Sequence, residues 1–366
     1  MNSNNLHFEP DMLFTLAGGR SVLEMQRLNI HTLEAATAFL KTYGFDVNLP
    51  ETVERMWYYH RRSLVLLTER LGFEAVEIPE VLRDQKMLGD IRLLLLHASS
   101  RDEREKLLQK WSCAILRTMH VFVHAENDLF SSFAEEIQNQ IITPIQQRIT
   151  YVGAQHSPAL IEKNIQGDEE RIELMAFELK PLKTSSSSVI KLLAKPDAIA
   201  MRLFDKLGVR FVTKNIFDSF RVIRFLSQQS IISFPHIMPD QSSNNIYPVE
   251  LFLKFCEEEV SKSLTSEEIE VRLMNLLRQS LSENKFLRKE NQYSGSDYRF
   301  IKFISRQLIK VNGENGRGGF SFFYPFEVQI LDQEGYLKTL SGPSEHAAYK
   351  ERQMIAARKR LFPESI

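Results

Sequence analysis

Cysteine is scarce in this sequence, since only Cys113 and Cys256 occur among its 366 residues. Two thiols cannot build a cysteine-ligated zinc site, and they argue against the disulfide framework of a small secreted protein. Both cysteines lie in apolar segments of helical character. We therefore expect buried free thiols in a protein of a reducing compartment.

Long apolar runs and an excess of one charge are also missing. No run approaches the ~20 apolar residues that span a bilayer, and the first residues lack the charged and apolar regions of a signal peptide. The 46 basic and 47 acidic residues leave a net charge of −1. This balance excludes a global positive field that would hold nucleic acid or an anionic membrane. A cytoplasmic protein with no membrane partner is the expectation.

Helical periodicity dominates the first part of the chain. One helical segment begins with Pro50 and ends with Gly72 as its cap. A later segment repeats apolar residues at helical spacing, among them Ile137 and Ile141. A chain of this length suits two domains, so we predict an all-α N-terminal domain over residues 1–152.

The rest of the chain alternates helical and strand-like patterns. The stretches 209–213 and 320–331 are rich in β-branched and aromatic residues, which favour strands. The predicted fold class is therefore α+β. Residues 170–366 are expected to form a mixed β-sheet domain with flanking helices, interrupted by a helical insertion at about 249–285.

Two connecting segments are assigned by composition, and one helix by its start and stop signals. Residues 153–170 are polar and mixed, which is typical of a connection. The serine run at 185–189 indicates a short loop. A helix is predicted to begin near Pro196 and to end at Gly208, directly before the strand at 209–213.

The last strand-like run contains a carboxylate that its apolar neighbours do not explain. Counting with a period of two places one set of side chains on one face and a second set on the other: Phe326, Val328 and Ile330 against Glu327, Gln329 and Leu331. A half-buried strand would show this pattern without any function. A site that needs a carboxylate and an amide on one face would show it too.

Five pieces of the C-terminal half occur in an order that resembles a known family. They are SSVIK at 187–191, DKLGVRF at 205–211, DYRFIK at 297–302, FEVQILD at 326–332 and EHAAYK at 345–350. In this order they resemble the synthetase domain of RelA/SpoT-like proteins, the (p)ppGpp synthetases of the nucleotidyltransferase superfamily. The resemblance covers about residues 175–355.

The resemblance implies a nucleotidyltransferase-like fold and a specific reaction. A pyrophosphoryl group would pass from ATP to the 3′-hydroxyl of a guanine nucleotide, as in the bacterial stringent response, or to an RNA 3′ end. Asp205 and Glu327 would hold Mg²⁺, because hard cations prefer carboxylates, and Glu327 would also accept the hydroxyl proton. The implied nucleotide- and phosphate-binding residues are Lys191, Arg210, Tyr298, Lys302, Gln329, His346 and Lys350. Among them the cations would neutralise phosphate charge, and Tyr298 would stack on the acceptor base.

The sequence departs from the family pattern at several of these positions. Lys302 stands where the family has histidine, Asp297 replaces a glycine, and Leu331 and Asp332 replace an arginine and a threonine. The basic segment that grips ATP is echoed only by Lys180 and Lys183. A catalytically inactive nucleotide-binding or protein-interaction module therefore remains an alternative, as does a protein whose N-terminal helices bind a partner.

Two more features of the sequence concern a metal site and a hydrolase activity. His120 and His124 are four residues apart, which can place two metal ligands on one helix face. The His-Asp motif that the hydrolase half of long RelA/SpoT-like proteins requires is not visible, so we predict no hydrolase. The sequence leaves a homo-oligomer open.

Overall fold

The chain folds into two compact units built from interleaved segments. The structure, a computed structural model, describes residues 10–126, 132–154, 156–163, 169–180, 185–195, 204–259, 264–279, 299–312, 319–340 and 346–362. The first unit draws on residues 1–128, 184–203 and 350–366. The second unit draws on residues 129–183 and 204–349.

Helices and strands both occur, and the predicted α+β class is confirmed. The helices are α1 (Pro10–Leu16), α2 (Leu33–Tyr43), α3 (Pro50–Val65), α4 (Glu80–Arg83), α5 (Gln85–Leu88), α6 (Leu93–Ala98), α7 (Lys106–Glu126), α8 (Ala134–Gln146), α9 (Ser185–Ala194), α10 (Ile216–Gln228), α11 (Val249–Glu259), α12 (Ser266–Gln279), α13 (Gln333–Leu340) and α14 (His346–Leu361). The strands are β1 (Ile149–Val152), β2 (Ser157–Lys163), β3 (Glu169–Lys180), β4 (Gly208–Thr213), β5 (Ser243–Asn244), β6 (Ile301–Val311) and β7 (Phe320–Asp332). None of the described helices combines the length and apolar character that a bilayer crossing requires.

Helix α7 is the long central helix of the first unit. Its 21 residues contain no glycine or proline, and one face buries Trp111, Ile115 and Phe122. Helices α3, α6 and α9 pack against it. Burial of this continuous apolar face holds the short helices in place, because isolated helices of this length are marginal in water.

Two arginines of α14 join it to the rest of the first unit. Arg358 donates through Nη1 to the carbonyl oxygens of Leu71 and Gly72, at 2.8 and 2.9 Å. Arg360 donates to carbonyl oxygens at the end of α9, including that of Leu192 at 3.0 Å. A basic side chain that binds the last carbonyls of a helix satisfies acceptors that the helix itself leaves open.

The division into units differs from the predicted boundaries at 1–152 and 170–366. Helix α8 and strand β1 belong to the second unit, whereas α9 and most of α14 belong to the first. The physical reason is burial of apolar side chains. Ile137 and Ile141 of α8 pack into the core of the sheet, and a boundary based on composition cannot show which apolar faces meet.

The predictions for the two connecting segments are wrong. The serine run at 185–189 is the first part of α9, because Val189, Leu192 and Leu193 recur at helical spacing and are buried. Residues 153–170 contain strand β2, whose Ala159 and Leu160 are buried. The helix predicted from Pro196 lies largely outside the described residues, and the chain at 204–207 is a turn.

The second unit is organised by one seven-stranded sheet. Its strand order is β1-β2-β3-β4-β7-β6-β5. Strands β4 and β7 are parallel, and the other neighbouring pairs are antiparallel. One face carries the apolar core, in which Phe211, Val328 and Ile330 join buried residues of α8 and α10. The opposite face is polar at its centre.

Acid should destabilise the first unit through His60. This residue of α3 is 1% exposed, its Nε2 donates to the Leu82 carbonyl at 2.9 Å, and burial lowers its pKa to about 4. An unfolded histidine takes up a proton near pH 6.5, so stability is complete above that pH and falls as the pH drops toward 4. The loss from this group is up to about 3 kcal/mol.

Urea unfolding between pH 7 and pH 4 measures this effect. We expect His60→Gln to flatten the acid side of the stability curve, and His31→Gln, which changes an exposed histidine, to leave it unchanged. Equal acid sensitivity of the His60→Gln variant and the unmodified protein would contradict the assignment to His60.

Candidate functional site

The strand register places polar residues in two adjacent rows across the polar face of the sheet. The first row runs from Lys180 on β3 through Gly208 on β4 to Glu327 on β7. The second row runs from Glu178 on β3 through Arg210, Gln329 and Lys302 to Ser243 on β5. Directly paired residues in neighbouring strands lie on the same face of a sheet. Six side chains therefore share this face, and we call them the polar cluster: Glu178, Lys180, Arg210, Lys302, Glu327 and Gln329.

Glu327 is the most buried charge of the polar cluster, with 5% of its surface exposed. Its Oε1 accepts hydrogen bonds from Lys180 Nζ at 3.0 Å and from Gln329 Nε2 at 2.8 Å. Lys302 Nζ lies 4.0 Å from Oε2. A buried carboxylate is costly unless cations and donors surround it, and here both oxygens face a lysine.

Arg210 connects the two carboxylates of the polar cluster. Its Nη1 donates to Glu178 Oε2 at 2.9 Å, while Nε and Nη2 both donate to Gln329 Oε1 at 3.2 Å. Gln329 thus accepts from Arg210 with its carbonyl and donates to Glu327 with its amide. The network fixes the orientation of the Gln329 amide. The position of the Arg210 guanidinium therefore affects the position of the buried Glu327 carboxylate.

Tyr336 of α13 closes the outer edge of the network. Its hydroxyl donates to Glu178 Oε1 at 3.0 Å. This hydrogen bond is the main reason that the pKa of Tyr336 is raised, with burial as a smaller cause. With three cations and two carboxylates, the polar cluster has one positive charge in excess, which suits an anionic ligand.

Because Gly208 has no side chain, it leaves room for Glu327 on the neighbouring strand. A Cβ at this position would lie 2.9 Å from the Glu327 carbonyl oxygen and 3.2 Å from its Cβ. The backbone before it is bonded to the same residue, because Glu327 N–H donates to Leu207 O at 2.9 Å. A side chain at position 208 would separate β4 from β7 at the row that holds the carboxylate.

The structure brings together four of the residues predicted for the site. Arg210, Lys302, Glu327 and Gln329 all belong to the polar cluster. Asp205 lies in the turn before β4. Its Cα is within about 7 Å of that of Leu207, the reach of two residues, so its backbone stays close to the carboxylate row.

The other predicted site residues are placed elsewhere or lie outside the description. Lys191 is on α9 and Lys350 on α14, and both belong to the first unit. Tyr298 lies outside the described residues. His346 is the first residue of α14, and its side chain is likewise outside what the structure describes.

Three residues of the site were not predicted as site residues from the sequence. Glu178 and Tyr336 were not singled out, and Lys180 was noted only as part of a basic segment. The alternation of Phe177 and Leu179 with Glu178 and Lys180 was a usable signal for a strand with one polar face. It was overlooked because no strand was assigned to this stretch.

Comparison with known proteins gives a faint structural likeness. No protein-family model and no curated protein matches the sequence. A GTP pyrophosphokinase family protein from Streptococcus pneumoniae is 13% identical over 63% of this chain and 88% of its own, with a TM-score of 0.28. Small alarmone synthetase 1 from Bacillus subtilis, solved with its product pppGpp, is 14% identical over 51% of this chain and 72% of its own, with a TM-score of 0.27. Small alarmone synthetase 2 from the same organism is 16% identical over 63% of this chain and 91% of its own, with a TM-score of 0.27. Likeness at this level carries no argument about what this chain does.

Proposed function

We propose that the chain transfers a pyrophosphoryl group from ATP to the 3′-hydroxyl of a guanine nucleotide or of an RNA end. The observation that carries the proposal is the polar cluster, with a buried carboxylate between lysines on a sheet face of net positive charge. The order of the RelA/SpoT-like motifs along the chain supports it, because two of those motifs supply Arg210, Glu327 and Gln329.

The proposed reaction needs a proton acceptor and fixed cations. The acceptor 3′-oxygen forms a bond to the β-phosphorus of ATP. The bond between that phosphorus and the oxygen that bridges it to the α-phosphorus breaks, and AMP leaves. Glu327 takes the hydroxyl proton, which is the role of a general base. Lys180, Arg210 and Lys302 neutralise the charge that develops on the phosphates, and such positioning accounts for most of phosphoryl-transfer catalysis.

Magnesium is proposed to arrive with the triphosphate. Among the described residues no group of three or more metal-ligating side chains occurs, whereas Mg²⁺ bound to phosphates needs only one or two protein carboxylates. The donors present therefore fit an ion shared with the nucleotide. Asp205 and Glu327 would hold it, and it would offset phosphate charge.

The test is a transfer assay on the purified full chain. ATP labelled in its γ-phosphate is incubated with GDP, GTP or a short RNA with a free 3′-hydroxyl, with Mg²⁺ or with excess EDTA. We expect label on one of these acceptors and an equal amount of AMP, both lost in EDTA. Failure of every acceptor to gain label while nucleotide binding is intact would overturn the transfer activity.

A binding module without catalysis is the second candidate. Its support is the ion pair between Glu327 and Lys180, at 3.0 Å, because a base that is already paired to a lysine is hindered in taking a proton. The arginine that the family has after the strand motif is also absent, with Asp332 and Leu331 in that region. Saturable binding of ATP or GTP by calorimetry, without release of AMP, would favour this function.

A further inference from the structure

An apolar cavity of about 350 Å³ lies within the first unit. Its walls come from α2, α3, α6, α7 and the segments that flank α2. Deep in the cavity are Phe45, Met56 and Met119, all buried. At its rim, Val22 is 41% exposed and Phe39 is 40% exposed, so the cavity is reached from solvent.

The volume and lining of the cavity suit a small apolar molecule. Ligand sites in proteins have volumes of roughly 300–1,000 Å³, and a cavity of about 150 Å³ holds a benzene molecule. The present volume therefore has room for on the order of twelve carbon atoms. Met25, Met56 and Met119 line it, and methionine side chains adapt readily to the shape of a flexible chain.

Two polar groups of the wall are paired with each other. The Tyr43 hydroxyl and His120 Nδ1 are joined by a hydrogen bond of 2.7 Å. Burial lowers the pKa of this histidine to about 4, so the ring is neutral near pH 7.

The charged side chains that line the apolar cavity are all positive. Arg27 and Arg117 line it, and none of its lining residues is an aspartate or glutamate. Arg27 is exposed, and among the described residues it makes no hydrogen bond or ion pair. A second cavity of about 150 Å³ shares Arg27, Cys113 and Arg117 with the first, and its walls add both cations and the carboxylates Asp102 and Glu103, so the one-signed charge belongs to the apolar cavity alone.

We propose that the first unit binds an amphipathic anion, with an unbranched apolar chain of about twelve carbons in the cavity and a carboxylate or phosphate head at Arg27. The exposed guanidinium stands at the rim, where a head group remains in water while the chain is buried. Arginine recognises both head groups with paired hydrogen bonds.

Calorimetry on the full chain tests the ligand class. The probes are dodecanoate, dodecyl phosphate, dodecylamine and hexanoate, each below its micelle concentration. We expect one binding site for the two twelve-carbon anions, and the tighter of them identifies the head group. Hexanoate should bind more than 100-fold more weakly, because it buries six fewer methylene groups. Dodecylamine should bind at least tenfold more weakly than dodecanoate.

Two variants with a matched control test the site. Leu116→Phe places extra carbon atoms in the cavity and should weaken dodecanoate binding at least tenfold; Val123→Phe fills the same cavity from the next turns of α7 if the first variant does not fold. Arg27→Gln should weaken the anions about tenfold and leave dodecanol binding unchanged. Arg70→Gln removes an exposed arginine of the same unit that lines neither cavity and should change nothing.

Three results would overturn the proposal. They are the absence of saturable binding of either anion, equal affinity for dodecylamine and dodecanoate, and undiminished dodecanoate binding by a folded cavity-filling variant. These results leave the proposed transfer activity untested, because no residue altered here belongs to the polar cluster.

Discussion

Replacing Glu327 by glutamine is expected to abolish pyrophosphoryl transfer while nucleotide binding persists. Glutamine keeps the size of the side chain and can still accept from Lys180, but it cannot take the hydroxyl proton. Removal of a general base lowers rates by about 10²–10⁴-fold, so label on the acceptor should fall at least 100-fold. The Kd for ATP should change much less, since the cations Arg210 and Lys302 remain.

The matched control for this variant is Glu173→Gln. Glu173, a glutamate of β3, likewise pairs with a lysine, Lys214, but at an exposed position. The control should retain full transfer activity. Transfer that survives in Glu327→Gln at more than a tenth of the original rate would remove Glu327 from the chemical step and leave it a structural role.

Replacing Lys180 by methionine is expected to produce the largest loss of stability. The Glu327 side chain is 6% exposed and that of Lys180 is 23% exposed. Breaking a buried ion pair by removing one partner costs about 3–5 kcal/mol, because the remaining charge is buried without compensation. Lys180 is partly solvated and Gln329 still donates to the carboxylate, so we expect the lower end, about 3 kcal/mol, in urea unfolding.

A double-mutant cycle separates the pair from its surroundings. Lys180→Met combined with Glu327→Gln removes both charges of the pair and should recover most of the lost stability, because the charge that remains opposite it, Lys302, is partly exposed. Lys214→Met breaks the exposed pair with Glu173 and should cost less than about 1 kcal/mol. A loss of stability in the double variant equal to the sum of the losses of Lys180→Met and Glu327→Gln would show that the two side chains are not coupled.

The elements that formed as predicted carry strong local signals. Strands β4 and β7 follow from dense β-branched and aromatic residues, and the start of α3 follows from Pro50. Strand β3 was harder to find because its register with β4 shifts between Leu174 and Ala176. This shift interrupts the two-residue alternation of side chains between the faces of the sheet. The first half of α9, residues 185–189, was predicted as a loop because four serines begin it, yet tertiary burial of Leu192 and Leu193 outweighs the weak helix propensity of the serines.

The candidate site was predictable only where one strand supplies it. Glu327 and Gln329 share a face through the period of β7, so their proximity follows from sequence alone. The contacts of Lys180 and Arg210 with them depend on which strands are neighbours, and the parallel pairing of β4 with β7 joins segments separated by more than 100 residues. No local pattern specifies that pairing.

The interleaved first unit has a consequence for protein synthesis. Phe362 packs against Trp111 and Phe73, with ring centroids 4.7 and 5.4 Å apart, so a late segment covers aromatic residues made much earlier. A ribosome adds about 5–20 residues per second, so α7 waits on the order of ten to fifty seconds for this cover. Chaperones that shield nascent aromatic surface should therefore raise the yield of this chain during translation.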